Sequence, residues 1–190
     1  FTAAVGLDLG LVTPKSRFHC AGEERVNRAR VRCHRLSGHG TLDLEGALAD
    51  SCNVAFAKLG AEIGVEPFIT YAKKFHLLDQ ADLALPSKPG GMYDFRGFKG
   101  KVALAEAAFG QGATLMTPLQ VARLTATVAN RGEVLQPYLV ERVESPEHRV
   151  LYRGQARRLG RAVSARTAAL VAGMMRQVVE RGTGRSMALA

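Results

Sequence analysis

The run Ala47-Leu48-Ala49-Asp50-Ser51-Cys52-Asn53-Val54-Ala55-Phe56 decides how this chain is read. Leu44 and Leu48 precede its centre, and Val54, Phe56, Leu59 and Ile63 follow it, each set spaced as one face of a short helix. Helices are expected over 42–50 and 54–63, with Thr41 as the N-cap of the first. Ser51 and Asn53 fall in the break between them. A hydroxyl and a carboxamide at such a break can relay a proton and hold an amide carbonyl. Both residue types also favour helix N-caps. Taken alone, the tripeptide therefore reads first as the cap of the second helix.

Working outward, residues 1–10 read as the tail of a helix ended by Gly10, and 11–40 as a polar, Arg-rich loop with few periodic apolar positions. Pro67 suits the first turn of a helix that carries Phe68, Ala72 and Phe75. The stretch 78–100, with Pro86, Pro89, Gly90, Gly91, Gly97 and Gly100, reads as a long irregular loop. An Ala-rich helix from Val102 runs into Gly110-Gln111-Gly112. Thr117, Pro118 and Gln120 then form a capping box for the next helix, which Asn130-Arg131-Gly132 ends. The period changes over 134–152, where a pair of strands should form a hairpin around Ser145-Pro146-Glu147. Ser164 caps a last helix whose buried stripe is Leu170, Val171, Met174, Met175, Val178 and Val179.

The 190 residues are 47% hydrophobic, enough for a real core. No run of about 18 apolar residues occurs, and no signal-peptide pattern is present. The formal charge of +9, from 26 basic and 17 acidic side chains, lacks the aromatic interleaving of a nucleic-acid surface and reads as a solvated Arg-rich exterior. No nucleic-acid partner is expected. Cys20 and Cys33 lie in the Arg-rich loop, where they could remain free or pair as a disulfide in an oxidising compartment. No C-x-x-C and no His at zinc spacing accompanies them, which argues against a metal. Cys52 reads as a small semi-buried side chain. His39, between two glycines, reads as a structural hydrogen-bond partner rather than a general base.

These pieces together resemble a known family. Gly38-His39-Gly40-Thr41-Leu42-Asp43-Leu44 with the run 47–56 looks like the second active-site motif region of penicillin-binding transpeptidases. Phe109-Gly110-Gln111-Gly112, then Met116-Thr117-Pro118-Leu119-Gln120-Val121-Ala122, Ala129-Asn130-Arg131-Gly132 and Gln136-Pro137, resemble the segment those enzymes carry further on. Gly173-Met174-Met175 to Glu180-Arg181-Gly182-Thr183-Gly184 is similar to the helix and turn before their third motif. The superfamily has three signatures, S-x-x-K, S-D-N and K-T-G. Only the second is present, as Ser51-Cys52-Asn53.

The resemblance implies an α/β (α+β) fold of the β-lactamase/transpeptidase type, here a fragment dominated by the helical lobe with a β-hairpin. Residues 1–190 would be part of one transpeptidase domain, cut at both ends, with the nucleophilic Ser, its Lys and the third motif elsewhere. It implies a peptidoglycan D,D-transpeptidase of the high-molecular-weight, class B-like kind, acting through a serine acyl-enzyme on D-Ala-D-Ala stem peptides and inhibited by β-lactams. Ser51 would relay the proton and Asn53 would orient substrate and Lys. Gln111 and Gly112 are candidates for substrate binding, with a helix cap as the competing reading. No cofactor or metal is implied. The location implied is the extracytoplasmic face of the membrane, anchored by a segment outside these residues and beside other cell-wall synthesis proteins. That compartment would permit the Cys20–Cys33 disulfide. The rival readings are a β-lactam-sensing receptor domain, a serine β-lactamase (against which no Glu lies in 78–100) and a protein that keeps the fold without the chemistry.

Overall fold

Helix α3 (Asn53–Ile63) organises the molecule because nearly every face of it is apolar or small. Val54, Ala55, Phe56, Ala57, Leu59, Gly60 and Ile63 are all buried. A helix that is hydrophobic all round must be surrounded. In the computed structural model, which describes residues 1–26, 29–78, 101–112 and 114–187, it is packed by α1 (Thr2–Asp8), α4 (Val65–Lys74) and α5 (Lys101–Ala108), and by strands β1 (Arg17–Cys20), β2 (Glu23–Val26) and β3 (Ala29–Arg32). The closest approach is at Gly60, where a Cβ would lie 2.2 Å from the Ala108 Cβ. Phe1, Phe68 and Phe75 interlock edge to face at one end of this core.

After β4 (Gly40–Asp43) comes α2 (Leu44–Ala49), which leads directly into α3. Helix α6 (Pro118–Ala129) starts at the expected capping box: Thr117 Oγ1 accepts from the Gln120 N–H, and Gln120 Oε1 accepts from the Thr117 N–H. Strands β5 (Glu133–Gln136), β6 (Arg142–Glu144), β7 (Val150–Arg153) and β8 (Arg157–Arg161) follow, and then α7 (Ala165–Glu180), capped by Ser164. The strands form four antiparallel pairs, β1–β4, β2–β3, β5–β8 and β6–β7. Among the described residues no helix is long and apolar enough to cross a membrane.

Several expectations need correction. Residues 11–40 are not a plain loop: β1 alternates exposed and buried side chains, with Phe18 and Cys20 inward, and pairs with β4 so that Cys20 faces Gly40. The first motif helix is capped by Asp43, whose Oδ1 accepts from the Gly46 N–H, because Thr41 is already committed to β4. The single hairpin expected over 134–152 is two nested pairs, β6–β7 standing on β5–β8. In α7, Val171 and Met174 are buried as expected, but Leu170 is on the exposed side. The long loop expected over 78–100 lies, apart from Leu78, outside the described residues.

Candidate active site

Helix α2 ends in a Schellman motif, and Ser51 occupies its left-handed position. Asp50 is the C-cap, the Ser51 N–H donates to Leu48 O, and the Cys52 N–H donates to Ala47 O. Ser51 has φ of 51°. Glycine is the usual residue there, because a Cβ costs about 1–2 kcal/mol in left-handed backbone. Serine therefore sits where backbone energetics prefer glycine. Such outliers gather at functional sites. The capping alternative fails as well: the N-cap of α3 is Cys52, which makes no side-chain cap bond, and Asn53 is the first helical residue.

The Ser51 hydroxyl is met from the far end of the chain. Helix α7 packs along α2, and Arg181 reaches Glu45 at 3.3 Å. The turn Gly182-Thr183-Gly184 then lies against the end of α2, with the Thr183 N–H donating to Ala49 O at 3.0 Å. Only glycine fits at 182, since a Cβ would come within 2.2 Å of that same carbonyl oxygen. This close approach brings Thr183 Oγ1 to 2.9 Å from Ser51 Oγ.

Ser51 and Asn53 open on one cleft of about 300 Å³. Its walls come from the first turn of α1 (Phe1, Thr2, Ala3), from Leu48 and Phe56, and from the end of α5 through Phe109 and Gly110 to Thr114 and Met116. Thr2 Oγ1 donates to Ala108 O at 2.7 Å and ties two of these walls together. Asn53 Nδ2 donates to Arg32 O at 2.9 Å, which orients the carboxamide from the end of β3. A carboxamide carries two N–H donors and an acceptor oxygen, so this bond occupies only part of its capacity. Gly110 lines the cleft, whereas Gln111 and Gly112 are exposed beside it, the Gln111 N–H donating to Glu106 O.

The three cysteines come together, which their spacing in the chain does not announce. Cys20, Cys33 and Cys52 are free and buried, and with His39 they form one cluster whose ligand atoms lie within 4.8 Å of one another. Cys20 and Cys33 thus share this space with Cys52 and the imidazole, between the strand ends and the motif helix. Burial pushes the Cys52 thiol up to about 12, which fits a side chain without nucleophilic work beside Ser51. Sequence spacing missed this cluster. The signal was the alternation in β1, which makes Cys20 inward-facing and pairs it opposite the His39-Gly40 step.

A lobe built round a buried helix, with a Ser-x-Asn turn lining one cleft and a Gly-Thr-Gly turn against that serine, is the architecture of a penicillin-binding domain. The chain belongs to the penicillin-binding protein transpeptidase domain family, whose model it matches over residues 1–190. It is 34% identical over 140 residues to the peptidoglycan D,D-transpeptidase PbpA of Mycolicibacterium smegmatis, covering 71% of this chain and 27% of that protein. It is 28% identical over 173 residues to stage V sporulation protein D of Bacillus subtilis, covering 90% and 27%. Among solved structures, the D,D-transpeptidase domain of a peptidoglycan glycosyltransferase from Eggerthella lenta superposes with a TM-score of 0.88 at 27% identity, over 99% of this chain and 48% of that one. A penicillin G acyl-enzyme of penicillin-binding protein A from M. tuberculosis gives 0.84 at 26%, over 94% and 42%. The chain thus spans about a quarter of the length of the curated relatives it matches.

Proposed function

We propose that this chain is the central part of a peptidoglycan D,D-transpeptidase domain and supplies the proton-relay and substrate-orienting groups of its active site. The observation that carries this reading is the left-handed Ser51, held at the cleft mouth with its hydroxyl exposed to both the cleft and Thr183. A serine nucleophile and its lysine base would come from a Ser-x-x-Lys elsewhere in the parent protein, since these 190 residues contain none. The first turn of α1 walls the cleft, so a segment leading into that helix would enter it beside Ser51.

In the acylation step the nucleophilic serine attacks the carbonyl of the D-Ala-D-Ala peptide bond, and its proton passes to the lysine. The Ser51 hydroxyl bridges from the lysine to the departing nitrogen and delivers a proton, so that D-Ala leaves as a neutral amine. Asn53 donates to the substrate amide carbonyl and accepts from the lysine ammonium. The acyl-enzyme is then attacked by an amine from a second stem peptide, and the relay runs in reverse. A β-lactam enters by the same first step. The reading places the domain on the extracytoplasmic face of the membrane, where cross-linking substrates and other cell-wall synthesis proteins are found.

The test is labelling of the intact parent protein with a fluorescent penicillin. Ser51→Ala and Asn53→Ala should each slow acylation by about 10²–10⁴-fold, the usual scale for a positioned proton-transfer group. Labelling at the wild-type rate in either folded variant would sink the role given to that residue.

A further inference from the structure

Cys20 ends β1, Cys33 follows β3, His39 precedes β4, and Cys52 is the N-cap of α3. Four short elements therefore converge on one point. Their ligand atoms all lie within 4.8 Å of one another, and three of the distances between them are close to a tetrahedron's edges. His39 Nδ1 is 3.4 Å from Cys33 Sγ and 3.7 Å from Cys20 Sγ, and the Cys33 and Cys52 sulfurs are 3.9 Å apart. With metal–sulfur bonds of about 2.3 Å and metal–nitrogen bonds of about 2.0 Å, a tetrahedral site requires sulfur–sulfur edges of about 3.8 Å and sulfur–nitrogen edges of about 3.5 Å. The three thiols are each no more than 2% exposed, while the imidazole is half-buried at the rim.

The backbone fixes this arrangement independently of any ion. The Cys33 N–H donates to Gly22 O at 2.8 Å, and the His39 N–H donates to Cys20 O at 3.1 Å. Cys52 adds a further argument. Ser, Thr, Asp or Asn at an N-cap would bond to the helix amides. Cys52 places its sulfur in the cluster, 3.9 Å from the Cys33 sulfur.

We propose that Cys20, Cys33, His39 and Cys52 bind one zinc ion, which staples the Ser51-Cys52-Asn53 turn to the ends of β1 and β3. Three thiolates and one imidazole select a soft, tetrahedral dication. Binding releases three thiol protons to solvent, and the metal takes four bonds, one each from the three sulfurs and Nδ1. The site is closed, so its work is structural: it fixes the residue between the two active-site side chains. Its link to acylation rests on the transpeptidase reading above, while the presence of the metal does not.

The experiment uses the intact parent protein, purified without chelator. Elemental analysis should give one zinc per chain. Cobalt replacement should produce the intense visible bands of a tetrahedral ion and a thiolate-to-metal charge-transfer band. Cys33→Ala and Cys52→Ala should each abolish that band. Because either variant could fail to fold, wild-type protein is also titrated with a thiol reagent before and after a strong chelator. Three thiols should become reactive only after metal removal, and Tm should fall by several degrees and recover when zinc is restored. A metal-free protein that takes up no zinc on reconstitution, with three thiols reactive from the outset, would overturn the proposal. So would a Cys20–Cys33 disulfide found in the native protein by mass spectrometry. Penicillin labelling is scored separately: a zinc-loaded protein that fails to label leaves the metal site standing and removes the transpeptidase reading.

Discussion

The hydroxyls of Ser51 and Thr183 lie 2.9 Å apart although 132 residues separate them in the chain. Each is at the end of a helix, α2 and α7, and the two helices are locked by the Thr183 N–H to Ala49 O bond and by Arg181 with Glu45. Thr183 thus offers Ser51 a partner that fixes the direction of its lone pairs. Thr183→Val keeps the shape of the side chain and deletes the hydroxyl. A single net hydrogen bond is worth about 1 kcal/mol, so the acylation rate of the parent protein should fall about 2- to 10-fold, and Thr183→Ser should restore it. In a double-mutant cycle the loss from Thr183→Val should largely disappear on a Ser51→Ala background. Full additivity of the two losses would show that Thr183 does not act through Ser51.

The core beneath the site makes a separate claim about Gly60. In an isolated helix, Gly60→Ala should gain about 1 kcal/mol from propensity. Here the new Cβ would stand 2.2 Å from the Ala108 Cβ, with Leu104 O at 3.5 Å. Neither neighbour is the end of a flexible side chain, so α3 and α5 must move apart. Overpacking of this kind costs about 1–3 kcal/mol and should win. Gly60→Ala should lower Tm by a few degrees and reduce penicillin labelling, because α5 leads into the cleft wall at Phe109 and Gly110. Adding Ala108→Gly should recover part of the loss. A rise in Tm for the single variant would mean that the two helices are not in contact at this point.

What was legible in the sequence were features that a single element determines. The capping box at Thr117 and Gln120 satisfies backbone amides within one turn. Helix α7 could be read from Ser164 and the spacing of Val171 and Met174. The Ser51 break could be seen because two apolar periodicities stop and restart around it. The strands between 17 and 43 were missed because each is four residues long and most carry Arg or Glu on the exposed face, so charge masks the alternation. The site was legible only in part for a related reason. Thr183 and the Arg32 carbonyl reach Ser51 and Asn53 through packing that leaves no local spacing to read. The Cys20, Cys33, His39 and Cys52 cluster likewise exists only once β1 has paired with β4.

Asp8 supplies the pH dependence. It ends α1, and its carboxylate gathers three other groups: Oδ2 accepts from the Tyr71 hydroxyl at 2.7 Å, and Oδ1 accepts from the Ser164 N–H at 2.9 Å and the Thr167 hydroxyl at 2.8 Å. Helices α1, α4 and α7 are joined at this one side chain. Burial pushes its pKa up, but the hydrogen bonds from Ser164, Tyr71 and Thr167 outweigh that and hold it below the ordinary value of 3.8. A carboxyl depressed in the folded state contributes stability that is fully present above its unfolded pKa. That contribution is lost as the pH falls through the folded pKa. Asp8→Asn keeps one acceptor oxygen, loses the charge and should cost about 1–3 kcal/mol near pH 7. Thermal melts of wild type and Asp8→Asn in the parent protein, compared near neutrality and again well below the ordinary carboxyl pKa, test this directly. The gap between the two proteins should be wide at neutral pH and should close in acid, where wild-type Asp8 has taken up its proton. A gap that stays constant or widens as the pH falls would mean that the charge of Asp8 is not what holds the three helices together.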